Sequence, residues 1–283
     1  ALALVDLGAG RTALAVSAAA AHSCALLDDG SVRCWGVGAN GRLGYANTAD
    51  VGDDEAPGAV GPVNLGAGRT AVAITAGDAH TCALLDDGTV RCWGLGSDGR
   101  LGYGNTNTRG TPGPDPVDLG AGRTAVAITA GDTHTCALLD DGTVRCWGLG
   151  ADGRLGYGNT STIGDDEVPG SVGPVSLGAG RTAVAIDAGG KHTCAVLDDA
   201  SVRCWGRGEF GQLGYGNQAS VGDDEARLQR EGGGDEDALA HASRELVRVA
   251  AQHPGGLADM DLVEQRQRPL VRTQKPRGQV REQ

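Results

Sequence analysis

Four near-copies of one Gly-rich unit follow one another in this chain, and that periodicity limits the fold more than any single motif. The segment His-Ser/Thr-Cys-Ala begins at His22, His80, His134 and His192, giving steps of 58, 54 and 58 residues. Asp-Asp-Gly follows, or Asp-Asp-Ala at Ala200, and then Val-Arg-Cys-Trp-Gly ending at Gly36, Gly94, Gly148 and Gly206. Next comes Leu-Gly-Tyr, at Tyr45, Tyr103, Tyr157 and Tyr215, then a loop, then Leu-Gly-Ala-Gly-Arg-Thr-Ala leading into the following copy. Gly makes up 49 of the 283 residues. Scattered, that share would indicate disorder; at fixed offsets it marks repeated turns.

The second copy shows the local plan. His80 to Leu85 and Thr89 to Trp93 read as strands bounded by Asp86-Asp87-Gly88. A three-residue loop with Gly last suits a type I turn closed by a bulge, where Gly takes a positive φ. That register pairs Leu85 with Thr89, Leu84 with Val90, Ala83 with Arg91 and Cys82 with Cys92. Upstream, Ala71 to Ala76 is a small apolar strand, preceded by the turn Gly66-Ala-Gly-Arg and the short strand Pro62-Val-Asn-Leu. Each unit thus offers four short strands. A unit this small cannot bury both its faces, so neighbours must stack. Radial stacking of four-stranded blades predicts an all-β fold of the β-propeller type.

The eight cysteines are Cys24 and Cys34, Cys82 and Cys92, Cys136 and Cys146, Cys194 and Cys204. The hairpin register sets the members of each pair opposite one another, at a non-hydrogen-bonded site where Cβ atoms approach closely. Four intra-unit disulfides follow, each contributing about 2–3 kcal/mol by closing a short loop. They imply an oxidising compartment, extracellular or at the cell surface. The competing reading is zinc, since His80, Cys82 and Cys92 share a face. Zinc sites use shorter Cys spacings, and three ligands leave the site open.

The other candidates are weighed by repetition. A catalytic site needs one special copy, whereas the four histidines have identical surroundings, which favours a structural bond such as one to a neighbouring carbonyl. Trp35, Trp93, Trp147 and Trp205 are expected between blades, with the four Tyr residues. Gly-Ala-Gly-Arg-Thr lacks the earlier Gly and the Lys of a phosphate loop and reads as a turn. The loop after Tyr-x-Asn differs between copies. It carries Asp53-Asp54-Glu55, Asp165-Asp166-Glu167 and Asp223-Asp224-Glu225 in three units, and Arg109-Gly-Thr-Pro in the second. These carboxylates are the candidate binding loops. They are also a candidate calcium site, although such a site needs about six oxygen ligands. No hydrolase, metalloprotease or dinucleotide motif is present, so an enzyme is not expected. Residues 1–225 hold 14 basic and 27 acidic side chains, which disfavours nucleic acid and anionic membranes. No apolar run approaches 18 residues, so no membrane span is expected, and no signal peptide is visible.

His-Thr-Cys-Ala-Leu, Asp-Gly, Val-Arg-Cys-Trp-Gly and Gly-x-Leu-Gly together resemble the regulator of chromosome condensation repeat family, in the bacterial form with paired cysteines. The resemblance covers residues 1 to about 225. It implies a propeller usually built of seven blades, so four units make either a partial arc or a four-bladed ring closed by Ala1–Leu7. The family's wedge angle favours the arc. Two domains are expected, residues 1–226 carrying the repeats and a non-β tail at 227–283. One helix is expected at 235–252 and disorder elsewhere in the tail. The break within a motif suggests a frameshift or fused terminus. The reading is a secreted, non-catalytic scaffold that binds a protein through propeller-face loops. The resemblance implies two alternatives: guanine-nucleotide exchange on a small GTPase, and a secreted enzyme inhibitor of the propeller type.

Overall fold

A computed structural model describes residues 3–223. Asp224, Glu225 and the tail with its expected helix at 235–252 lie outside the described residues. Each unit forms one antiparallel sheet of three strands. The strands are β1 (Ala13–Ala18), β2 (His22–Leu27) and β3 (Val32–Gly36) in the first unit, and β4 (Ala71–Ala76), β5 (His80–Leu85) and β6 (Val90–Gly94) in the second. The third unit has β7 (Ala125–Ala130), β8 (His134–Leu139) and β9 (Val144–Gly148), and the fourth has β10 (Ala183–Ala188), β11 (His192–Leu197) and β12 (Val202–Gly206).

The hairpin register is as the sequence predicts: Cys82 faces Cys92, Ala83 faces Arg91 and Leu84 faces Val90. The turn glycines Gly30, Gly88 and Gly142 have φ of 75°, 76° and 77°, and Ala200 takes φ 65° in their place. Each cysteine pair forms a disulfide across its hairpin, with Cα atoms 4.0–4.1 Å apart. The sulfurs of each pair are thus bonded to one another, and no described cysteine is free.

The sheets have three strands rather than four, and the reason lies on the outer edge. The N–H of Cys34 donates to the Tyr45 hydroxyl (3.0 Å), which itself donates back to the Cys34 carbonyl (3.1 Å). These backbone groups point away from β2, as a non-hydrogen-bonded pair requires. Two residues further, Gly36 bridges Val51. The expected strand Pro62-Val-Asn-Leu contributes only the Val63 N–H, donated to the Val32 carbonyl at 2.8 Å. Val117 and Val175 repeat this with Val90 and Val144. A tyrosine hydroxyl, a single bridge and one amide thus share an edge that a full strand would otherwise cover.

The units stack through their faces. Cys82, Leu84, Val90 and Cys92 of the second unit share a core with Ala137, Leu139 and Trp147 of the third. The first and second units share a like cluster around Leu26, Val32, Ala83, Leu85 and Trp93. The innermost strands β1, β4, β7 and β10 end around one central cavity of about 150 Å³. The arrangement is an open arc. The Val202 carbonyl receives no valine N–H among the described residues, while Leu4 and Val5 are 98% and 51% exposed. Asp6 instead meets the first unit's own loop, where the Gly58 N–H donates to its carbonyl (2.9 Å).

Candidate protein-binding face

The two ends of each sheet differ in chemistry. At the hairpin end, the Asp-Asp pairs meet the arginines of the Gly-Ala-Gly-Arg turns: Arg11 with Asp29 at 2.6 Å, Arg69 with Asp87 at 2.8 Å, Arg123 with Asp141 and Arg181 with Asp199 at 2.9 Å. The acidity there is partly matched, one arginine facing each Asp-Asp pair. At the opposite end, β1 stops, β2 starts and β3 runs out into the variable loops. Ala39–Gly41, Ser97–Gly99 and Ala151–Gly153 form short 3-10 turns in which Asn40, Asp98 and Asp152 adopt φ of 60°, 57° and 60°. Asn and Asp tolerate this left-handed region better than other side chains. Asp98 and Asp152 then pair with the buried Arg100 (2.6 Å) and Arg154 (2.7 Å). The fourth unit replaces this pattern with Glu209, Phe210 and Gln212, and Phe210 is 81% exposed.

Stacking brings the two variable loops of neighbouring units together. A Cβ on Gly99 would lie 2.4 Å from the Asp165 amide nitrogen, and one on Gly153 would lie 2.2 Å from that of Asp223. The acidic loop of one unit is therefore seated on the 3-10 turn of the unit before it, with glycine required by the close approach. Arg33 and Arg145 hold the return of the acidic loop by donating to the carbonyls of Pro57 and Pro169 (2.8 Å each). These arginines, with Arg42, Arg100 and Arg154, were not singled out by sequence reasoning. Their recurrence at fixed offsets was the available signal.

Asp53, Asp54 and Glu55 lie together, as do Asp165, Asp166 and Glu167, each set with carboxylate oxygens within 4.8 Å of one another. The Glu55 carboxyl is held above its usual range first by a hydrogen bond shared with Asp54, and Glu167 first by burial and then by Asp166. Crowded like charges thus disfavour the ionised glutamates here. Asp223 has one buried carboxylate oxygen without a partner among the described residues. In the second unit Arg109 stacks 3.6 Å above the Tyr103 ring instead.

The four histidines do not form a site. His22, His80 and His134 donate from Nε2 to the hydroxyls of Thr81, Thr135 and Thr193 in the next unit, at 2.8, 2.9 and 2.9 Å. The direction follows from those hydroxyls donating onward to the carbonyls of Arg42, Arg100 and Arg154. The partner is a hydroxyl of the following unit, where a backbone carbonyl was expected. Trp93, Trp147 and Trp205 sit between units as predicted, whereas Trp35 is only half-buried, with no unit before it among the described residues. The tyrosines instead cap their own sheet edges.

With four such units in place, the family models can be set against the chain. Those describing the regulator of chromosome condensation (RCC1) repeat match residues 14–42, 71–100, 125–154 and 183–212, and in a longer form 29–84, 87–138 and 141–196. The chain belongs to the RCC1 repeat family. It is 36% identical over 211 residues to the ultraviolet-B receptor UVR8 of Arabidopsis thaliana, covering 74% of this chain and 44% of that protein. It is 31% identical over 208 residues to the E3 ubiquitin-protein ligase HERC2 of Homo sapiens, covering 74% of this chain and 4% of that one. The chain therefore spans less than half the length of either relative. Among solved structures, yeast RCC1 (Prp20), crystallised with Kap60 bound, superposes with a TM-score of 0.61 at 18% identity, covering 86% of this chain and 59% of that one. Human WBSCR16 gives a TM-score of 0.61 at 22% identity, covering 76% and 51%. These likenesses confirm an all-β RCC1 propeller-type repeat fold. Among the described residues no helix is long and apolar enough to cross a membrane.

Proposed function

We propose that this RCC1-repeat chain is a non-catalytic scaffold that binds a protein partner, with a cationic surface, through the loop end of its arc. The observation that carries this reading is the seating of the acidic loops of the third and fourth units on the preceding unit's 3-10 turn. That contact builds one ridge from the segments that vary most between units, and its carboxylates are less matched than those at the hairpin end. Recognition surfaces concentrate in loops held by a rigid frame. The residues around the central cavity support the non-catalytic part: Asp78 and Asp132 are its titratable groups, set among Ala and Gly. They offer no nucleophile with a neighbouring base. The four disulfides fit an oxidising compartment, and we place the chain outside the cytosol on that ground. That placement weighs against guanine-nucleotide exchange on a cytosolic GTPase. Burial of Trp93, Trp147 and Trp205 weighs against an aromatic inhibitor face.

The test is the substitution of Asp53, Asp54, Asp165 and Asp166 by Asn in one variant. Immobilised wild-type and variant chains are exposed in parallel to protein from the source organism at rising salt, and retained proteins are quantified by mass spectrometry. The wild type should hold a defined partner that salt releases. The variant should lose it with its melting temperature unchanged. Equal retention by both chains at every salt concentration would remove the acidic ridge from the binding surface.

A further inference from the structure

Three interfaces join the four units, and each repeats one set of contacts. Trp93, Trp147 and Trp205 each cover a glycine of the preceding unit, so that a Cβ on Gly44, Gly102 or Gly156 would lie 2.8 Å from the indole Nε1. Gly41, Gly99 and Gly153 meet the following unit's loop backbone. The histidine-to-threonine bond joins the second strands. The amides of Ala76, Ala130 and Ala188 donate to the hydroxyls of Ser17, Thr75 and Thr129 at 2.9, 3.0 and 2.9 Å, joining the innermost strands.

Among the described residues most contacts in this set have an unused half at each end of the arc; at the innermost strand the Asp187 carboxylate already accepts from Thr129 and the Ala188 amide through one oxygen. On the fourth unit, Gly211 and Gly214 are exposed and meet nothing within 4 Å among the described residues, whereas their counterparts in the other units are buried. His192 is half-buried and its Nε2 has no partner among the described residues, unlike the other three histidines. Cys194, Cys204 and Val202 are half-buried, while the same positions in the other units are 0% exposed. On the first unit, Trp35 is half-buried where Trp93 and Trp147 are fully buried, and Ser23 is half-buried where Thr81, Thr135 and Thr193 are fully buried. Val16 and Ala18 are exposed. One end holds an indole without a seat, and the other holds a seat without an indole.

We propose that these two faces bind each other, so that the fourth unit of one copy receives the first unit of a second copy in the geometry of the internal interfaces. Trp35 then covers Gly214, His192 donates to the Ser23 hydroxyl, the Ala18 amide donates to the Asp187 carboxylate, and Gly211 meets Gly52. The new contact continues an interface the chain already makes three times. Charge supports it as well. The fourth unit carries Lys191 where the others have Ala or Thr, and Arg207, itself paired with Glu209, where they have Val or Leu, and the first unit brings Asp53-Asp54-Glu55 to that edge. Because the contact is head-to-tail, each pair still has one face of each kind, and association continues into a ring or a chain.

One residue opposes it. Thr70, Thr124 and Thr182 place their Cβ atoms 2.5, 2.7 and 2.6 Å from where a Cβ would stand on Gly30, Gly88 and Gly142. The fourth unit has Ala200 at that turn. Its methyl meets Thr12 of the incoming copy, so the exposed hairpin tip must shift, and the contact is weaker than the internal ones.

The experiment measures mass against concentration by sedimentation equilibrium on the full chain. Wild type should associate reversibly. Ala200→Gly should lower the midpoint concentration about tenfold by removing the overlap. Gly214→Leu fills the empty seat and Trp35→Ala removes the indole, so each variant alone should remain a monomer where wild type associates. An equimolar mixture of the two still has one intact face of each kind, and should give a species of twice the monomer mass and nothing larger. That recovery also shows that both variants are folded. A wild type that stays monomeric up to millimolar concentration, association that ignores Gly214→Leu, or variants that fail to pair on mixing would each overturn the proposal.

Discussion

His22, His80 and His134 hold the arc together only while they are neutral. Burial, with Arg42 beside His22 and Arg154 beside His134, lowers their pKa values to about 4 and about 3, and burial with Arg100 holds His80 well below its usual value. The unfolded chain takes up these protons near pH 6.5, whereas the folded chain resists until much lower pH. Between those limits the unfolded state binds more protons, so stability is full above about pH 6.5 and falls as the pH drops. Three such groups make the loss steep, about 4 kcal/mol per pH unit at pH 4.5–5.5. Denaturant titrations across pH 4.5–7.5 should show this slope. In His80→Gln an amide can still donate to Thr135 but does not titrate, so the slope should fall by about a third. An unchanged slope would mean that His80 is not among the groups responsible. The sequence made the structural role of these histidines legible, since identical surroundings in every copy argued against a catalytic one. It did not reveal the threonine partner, which lies about one repeat away and becomes a neighbour only on stacking.

At the scale of the strands, the hairpins were the most legible element. Asp-Asp-Gly fixed the turn, the turn fixed the register, and the register brought the cysteines into disulfide range. The fourth strand was misread because Pro62-Val-Asn-Leu has the composition of a strand, while its hydrogen bonds depend on what else reaches the sheet edge. Tyr45 and its equivalents reach it first. The tryptophan seats were invisible for a related reason: a glycine at positive φ reads as a turn residue whether or not an indole lies over it. Substitution separates these two roles. Gly102 has φ 79° with Trp147 and Val117 close to the Cβ position, and Gly214 has φ 77° with nothing there among the described residues. Both Ala variants carry the backbone strain of a left-handed residue, about 1–2 kcal/mol. Gly102→Ala adds overpacking worth about 1–3 kcal/mol. Gly102→Ala should therefore be the more damaging of the two in urea unfolding. Equal losses would show that the indole does not need the glycine.

The described repeats are close to one-dimensional, since the strands of each sheet pack on those of its sequence neighbours and cooperativity must pass through three similar interfaces. The repeat in the sequence made this stacking legible. It left the acidic ridge only half visible, because the loops' identities could be read but not their seating on the unit before. The middle interface, between the second and third units, is where the molecule can be divided. Thr135 is fully buried there and uses its hydroxyl twice, accepting from His80 Nε2 and donating to the Arg100 carbonyl. Thr135→Val keeps the shape and leaves both partners buried without a bond, at about 1–3 kcal/mol each. The two halves keep their own disulfides, sheets and remaining interface, so the loss falls on the coupling between them. Unfolding followed by hydrogen exchange should show β1 to β6 and β7 to β12 opening as separate blocks in the variant. In the parent chain, β5 and β8 should exchange together and slowest, because both flank that interface. If the variant lost stability evenly in all four units and still unfolded in one step, coupling would not run through this bond, and the shared apolar core of the second, third and fourth units would be carrying it alone.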